Sequence, residues 1–128
     1  MDAELTALTE EPFVSLTTFR RNGEGVATPV WSAREGDALV VTTVDGSGKV
    51  KRIRNNPEIT LQACERRGQL KPGAPVFTGR AEVVTDDLGV QRGTTAILKA
   101  YGLQAKLLLL VERLFSRGRR ERLILRIT

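Results

Sequence analysis

The chain has 128 residues, enough for one domain with a real core and with little spare length for a second, and its 41% apolar and 27% charged residues describe an ordinary globular protein rather than a disordered one. A net charge of +5 and an isoelectric point near 10 favour anionic partners, from nucleic acid to a phosphorylated small molecule. The absence of histidine and the single cysteine, Cys64, exclude Ser-His-Asp and Cys-His catalysis, histidine-ligated zinc or haem, and any intramolecular disulfide.

The opening MDAELTALTEEPF is acidic and lacks the basic and apolar regions of a secretory leader, so a cytoplasmic protein is expected. Ala3 to Leu8 fits a short helix. Phe13 to Phe19 mixes β-branched and aromatic residues and reads as a strand, and Asn22-Gly23 is a hairpin turn signal. Val26 to Arg34 is then the return strand, in which Pro29 marks an edge or a bulge because it has no N–H for a ladder. Ala38 to Val44 is a third strand, apolar enough to be covered on both faces.

A Gly-rich turn, DGSG, leads into about two helical turns that Pro57 ends. Ile59 to Cys64 and Val76 to Val84 are further strands, the latter with Gly79 as a bulge or a point of close approach. Residues 86 to 116 switch to helical spacing, with Gly102 breaking the run into two helices, and LILRIT is a last strand whose Leu123, Leu125 and Ile127 share one face. The sum is an α+β fold over residues 1–128. It is a six-stranded, mainly antiparallel split β-barrel with a short helix after strand 3 and a helical pair before the last strand. The apolar run KLLLLVERLF is shorter than the ~20 residues of a membrane span and is expected to pack on the barrel or on a partner subunit.

The helix after strand 3 is unusually cationic. Val50 and Ile53 fall on its barrel side, while Lys49, Lys51, Arg52 and Arg54 flank that stripe and repel one another unless an anion lies near. A helix N-terminus offers unpaired N–H groups and a positive dipole end, Ser47 adds a hydroxyl, and Gly48 lets the backbone come close to a ligand. The segment is neither a Walker loop nor a dinucleotide fingerprint, because Val50 and Lys51 occupy positions those motifs reserve for other residues. A solvated face is the alternative reading of the same charges. Aromatic residues are 5% of the chain and none interleaves with these cations, so single-strand stacking on nucleic acid is not expected.

The stretch TPVWSAREGDALVVTTVDGSGKVKRIRNNPEITLQACERRG resembles the pyridoxamine-phosphate-oxidase-like, FMN-binding split-barrel superfamily. Within it, the resemblance is to the actinobacterial oxidoreductases of the FDOR-B type that use the deazaflavin coenzyme F420. It implies a homodimer with cofactor at the subunit interface, the ring along Pro29, Val30 and Trp31 with Thr42 and Thr43, and the phosphate at Ser47, Gly48 and Lys49, with Val50 in the same stretch. Arg52 or Arg54 is implied to reach the phosphate or the acidic tail. The implied activity is hydride transfer from reduced F420 to a conjugated small-molecule substrate, with FMN as alternative cofactor and, as alternative function, FMN, haem or F420 binding or storage without turnover. No side chain is assigned a catalytic role and no metal is implied.

Three positions depart from true pyridoxamine-phosphate oxidases. Thr28 stands where those enzymes have an arginine, Ser-Gly-Lys replaces Ser-Arg-Lys, and the C-terminal Arg/His pair is missing, which sets pyridoxal-phosphate synthesis aside. Tyr101, the only phenol, and Arg80 are the possible proton donor and electrophilic partner, but Tyr101 lies at helical spacing among apolar residues and is expected in the core.

Overall fold

The computed structural model describes residues 2–102 and 122–128. Helix α1 (Ala3–Leu8) leads into β1 (Val14–Phe19), and a hairpin carries the chain to β2 (Gly25–Val30), β3 (Ser32–Glu35) and β4 (Ala38–Val44). Helix α2 (Gly48–Asn55) precedes β5 (Glu58–Ala63) and β6 (Phe77–Val84), and α3 (Asp87–Tyr101) precedes β7 (Arg122–Ile127).

The strands lie in the order β2-β1-β5-β6-β7-β4-β3, with every neighbouring pair antiparallel. β2 and β3 stand at opposite ends of that order, yet only Trp31 separates them in the chain, so the sheet curls until its two ends meet. This is the expected α+β split barrel with one strand more. Val26 to Arg34, read from sequence as a single strand, bends at Trp31 and changes partner, pairing with β1 before the bend and with β4 after it. Pro29, unable to donate to a ladder, sits in β2 on the edge of the order. β6 makes the matching exchange, pairing through Glu58↔Arg80 with β5 and through Ala81↔Ile127 with β7. Gly79 stands at that exchange, where a Cβ would come within 2.7 Å of the Thr128 carbonyl oxygen, the close approach its place in the strand predicted.

Two apolar clusters hold these layers. Leu16, Leu39, Val41, Ile59, Leu61, Leu125 and Ile127 fill the interior, and α1 adds Leu5 and Leu8. On the outside, α3 packs Ile97 against Ala33, Val40 and Ile124. β4 is therefore covered on both faces, Leu39 and Val41 inward and Val40 under α3, as its unbroken apolar run implied. Gly93 lets α3 lie so close that an added Cβ would stand 2.6 Å from Ile124 Cγ1.

Asp86 caps α3 by accepting from Gly89 N at 2.8 Å, and Gly102, with φ +60°, donates its N–H to the Leu98 carbonyl at 2.7 Å as the helix ends. The second helix expected over residues 103–116, and with it KLLLLVERLF, lies outside the described residues. No helix among the described residues is long and apolar enough to cross a membrane.

Candidate functional site

Gly46, at φ +79°, turns the chain out of β4, a conformation that favours glycine. Ser47 then caps α2, its Oγ accepting from Val50 N at 3.4 Å and lying 3.2 Å from Thr43 Oγ1. Val50 and Ile53 are buried, as their spacing predicted, and seat the helix against β1 and β6.

A cavity of about 360 Å³ opens beside this cap. Pro29, Val30 and Trp31 reach it from the β2–β3 corner, and Thr42, Thr43 and Val44 from β4. Ser47 and Lys49, from the start of α2, add its polar side. Residues from three separate stretches of sequence thus meet at one hollow of the size that small ligands occupy.

The other residues named from sequence lie around it. The Val50 side chain is buried beneath α2. Gly48 is exposed, and the space a Cβ would take there is held by Arg52, whose Nη1 is 2.7 Å from that position. Arg52 Nε donates to the buried Thr18 Oγ1 at 2.6 Å, so its guanidinium folds back over the first turn of its own helix. Arg54 is about half exposed and stands 4.0 Å from Asp45, a pairing weak at that separation. Arg80 is exposed on β6 and does not line the cavity.

Phe13, Arg66 and Arg122 also line the cavity, and the sequence reading passed them over. Both arginines are plain charges in the sequence, but their meeting needs the topology. β7 pairs with β4 in a register that sets Arg122 opposite Val44, and Gly68 packs on Pro29, bringing the Arg66 turn beside β2.

The cavity is electropositive. Lys49 is held below the usual lysine range, first by burial and then by the nearby Arg52 and Arg122 guanidiniums. Thr42 Oγ1 is buried without a hydrogen-bond partner among the described residues, a state that costs about 1–3 kcal/mol. No carboxylate lines the cavity among the described residues. A planar apolar body and an anion are what such walls can accept together.

Trp31 stacks on Tyr101, with ring centroids 4.7 Å apart and planes 12° from parallel. The Tyr101 hydroxyl accepts from Ser32 N at 2.9 Å and lies 2.7 Å from the Pro12 carbonyl and 2.9 Å from that of Ser32. Burial pushes its phenol above the ordinary value. A larger hollow, about 520 Å³, lies between β3 and α3 and is lined mostly by exposed side chains such as Arg34, Arg92 and Lys99. None of the residues singled out as cofactor contacts reaches it, and the smaller cavity is the candidate site. Cys64 is buried and its thiol pushed up, first by that burial, as befits an inert core residue.

The family model described as pyridoxamine 5'-phosphate oxidase matches residues 1–128. The chain belongs to the pyridoxamine 5'-phosphate oxidase family. No curated protein matches it. Among solved structures, a conserved hypothetical protein from Mycobacterium tuberculosis superposes with a TM-score of 0.70 at 19% identity, covering 100% of this chain and 80% of the other. An F420 reductase gives 0.58 at 18%, covering 99% and 94%. The haem storage protein of Vibrio cholerae gives 0.68 at 15%, covering 99% and 88%. At these identities the likeness is one of fold, and the family fold carries more than one kind of ligand.

Proposed function

We propose that this family member binds coenzyme F420, with FMN as the alternative, and uses it as an oxidoreductase on a conjugated small-molecule substrate. The observation that carries the reading is the meeting, in one cavity, of an apolar corner at Pro29, Val30 and Trp31 with a cationic helix start at Ser47 and Lys49. A planar ring joined to a phosphodiester has those two needs. That an F420 reductase shares the fold supports the choice of cofactor.

The residues fit the group. Thr42 Oγ1 lacks a partner among the described residues and can bond to a heteroatom of the ring, with Thr43 beside it. Ser47, the exposed backbone of Gly48, and Lys49 would hold the phosphate, and the depression of Lys49, from burial first and from Arg52 and Arg122 second, is offset when an anion sits there. Arg66 and Arg122 add charge to the same cavity. Arg52, folded over Gly48, and Arg54, held by a long contact to Asp45, are assigned to the phosphate and the acidic tail. The family resemblance adds a homodimer with a second chain completing the site, in the cytoplasm.

When bound, the coenzyme supplies the hydride chemistry. The protein's part is to orient the ring with Pro29, Val30 and Trp31, to offset negative charge with Lys49, and to keep water from one face. No histidine exists and no carboxylate lines the cavity among the described residues, and water can supply the proton that balances the hydride.

That same lack of histidine and carboxylate favours a second reading, a binding or storage protein without turnover. Haem is the poorest cargo for it, because the chain has no histidine, Cys64 is buried, and the Tyr101 hydroxyl is taken up by backbone. Titration of the purified protein with oxidised F420 and, separately, with FMN tests the choice of cofactor. A colourless preparation that binds F420 more tightly than FMN is expected, and a yellow protein that ignores F420 overturns the proposal. Turnover of reduced F420 with a panel of conjugated enones and quinones then separates the enzyme from the store.

A further inference from the structure

Trp31 is the residue at which the barrel closes. The β1–β2 ladder ends at Val30 and the β3–β4 ladder begins at Ser32, so its backbone belongs to neither. A residue outside both ladders is held by what its side chain touches, and here the Tyr101 ring stacks on it beside the apolar cluster of Ala33, Val40, Ile97 and Ile124. Tyr101 does not line the cavity, whereas Trp31 does. Its hydroxyl meanwhile spans the corner from Pro12, just before β1, to Ser32, the first residue of β3, accepting from Ser32 N and giving its one proton to either carbonyl. The helix that carries it is anchored on the far side of the sheet by Ile97, Val40 and Ile124.

We propose that Tyr101 is a positioning residue: it clamps the Trp31 indole and ties the β2–β3 corner, and so fixes one wall and the width of the cavity. The phenol acts through tryptophan and backbone rather than as a proton donor to a ligand. The clamp's effect on ligand rests on the cofactor reading above, but the clamp itself does not.

The test uses the fact that the chain has one tryptophan and one tyrosine, so tryptophan fluorescence and the long-wavelength near-ultraviolet circular dichroism, beyond the phenylalanine bands, report on this pair alone. In the ligand-free full-length protein, Tyr101→Leu removes both ring and tether. It is expected to abolish the tryptophan dichroism band and to raise the acrylamide quenching constant about twofold or more. Tyr101→Phe keeps the ring and loses only the hydroxyl. It should keep the band and still raise quenching about 1.5-fold, and this milder variant decides the matter if the leucine variant does not fold. Oxidised F420 titrated into both should show a Kd raised about 2- to 12-fold in Tyr101→Leu, the range a stacked aromatic pair contributes, and less in Tyr101→Phe. Unchanged dichroism and quenching overturn the clamp, and so does a freed indole with unchanged F420 affinity. If wild-type protein fails to bind F420 while the variants free the indole, the cofactor reading falls and the clamp stands.

Discussion

Replacing Lys49 by methionine should move stability and binding in opposite directions. The amine is partly buried beside two guanidiniums, and both effects disfavour its charge, which lowers its proton affinity in the folded protein relative to the unfolded chain. Between the folded and unfolded values the unfolded chain binds more protons, so stability gains as pH rises through that window, and below it the charged lysine is a net burden on the fold. Methionine keeps the apolar stem and removes the burden. Solvent screening of a partly exposed amine limits the gain to about 0.2–1 kcal/mol, or about 1–5 °C in melting temperature for a domain of this length. Binding should change the other way. Loss of one charge-assisted contact to phosphate costs about 1–3 kcal/mol, a Kd raised about 5- to 150-fold. Wild-type affinity for F420 should also decline as pH rises through the depressed lysine value, and the variant should lack that decline. Calorimetric melting of the free protein and F420 titration across pH read the two quantities. A variant that melts no higher and binds within twofold of wild type would refute the reasoning, since it would make Lys49 an ordinary solvated charge.

Thr42→Val removes a buried hydroxyl that has no partner among the described residues, at nearly constant shape; urea unfolding should show a gain of about 1 kcal/mol, with weaker F420 binding if that hydroxyl serves the ring. Gly93→Ala should destabilise by about 1–3 kcal/mol through overpacking against Ile124, despite alanine's better helix propensity, and Ile124→Val in the same chain should recover part of the loss. Arg54→Ala should change stability by less than about 0.5 kcal/mol, because its contact to Asp45 is long and exposed. The Tyr101 phenol is raised by burial, against the lowering effect of its Ser32 hydrogen bonds. Its share of stability is therefore complete below the ordinary tyrosine value and lost as pH climbs through the folded value. An ultraviolet titration of this single tyrosine should give a midpoint above the ordinary one, with the tryptophan dichroism fading over the same range.

Local patterns carried the elements well where one stretch of sequence decides the outcome. Ala38–Val44 and Ala3–Leu8 have the bounds that their composition implied, and Val50 and Ile53 are buried as their spacing required. The bend at Trp31 was not legible, because nothing local distinguishes a long strand containing proline from two strands that pair with different partners; Ser32 leaves β2's direction only because Val41 is there to receive it. The cavity shows the same division. Ser47, Lys49, Thr42 and Thr43 sit within eight residues and could be read together, whereas Arg122 joins them only through the β4–β7 register. Arg52 shows the limit on the other side. Its charge was plain, but its pairing with Thr18 depends on how α2 lies across β1.

The polar groups about the cavity fall into two kinds, and the difference bears on what each does. Ser47 Oγ is used by Val50 N and Thr43, Arg52 Nε by Thr18, and the Tyr101 hydroxyl by Ser32 and Pro12. Each has a partner inside the protein, so removing any of them should loosen the fold, besides whatever contact Ser47 and Arg52 make to a ligand. Thr42 Oγ1 has no partner among the described residues, and Lys49 is surrounded by charge of its own sign, so each costs the free protein something that the fold does not return. A chain relieved of either should be more stable empty. That both are tolerated side by side, next to the apolar corner at Trp31, fits the proposed cofactor, which would supply a polar ring atom to one and an anion to the other.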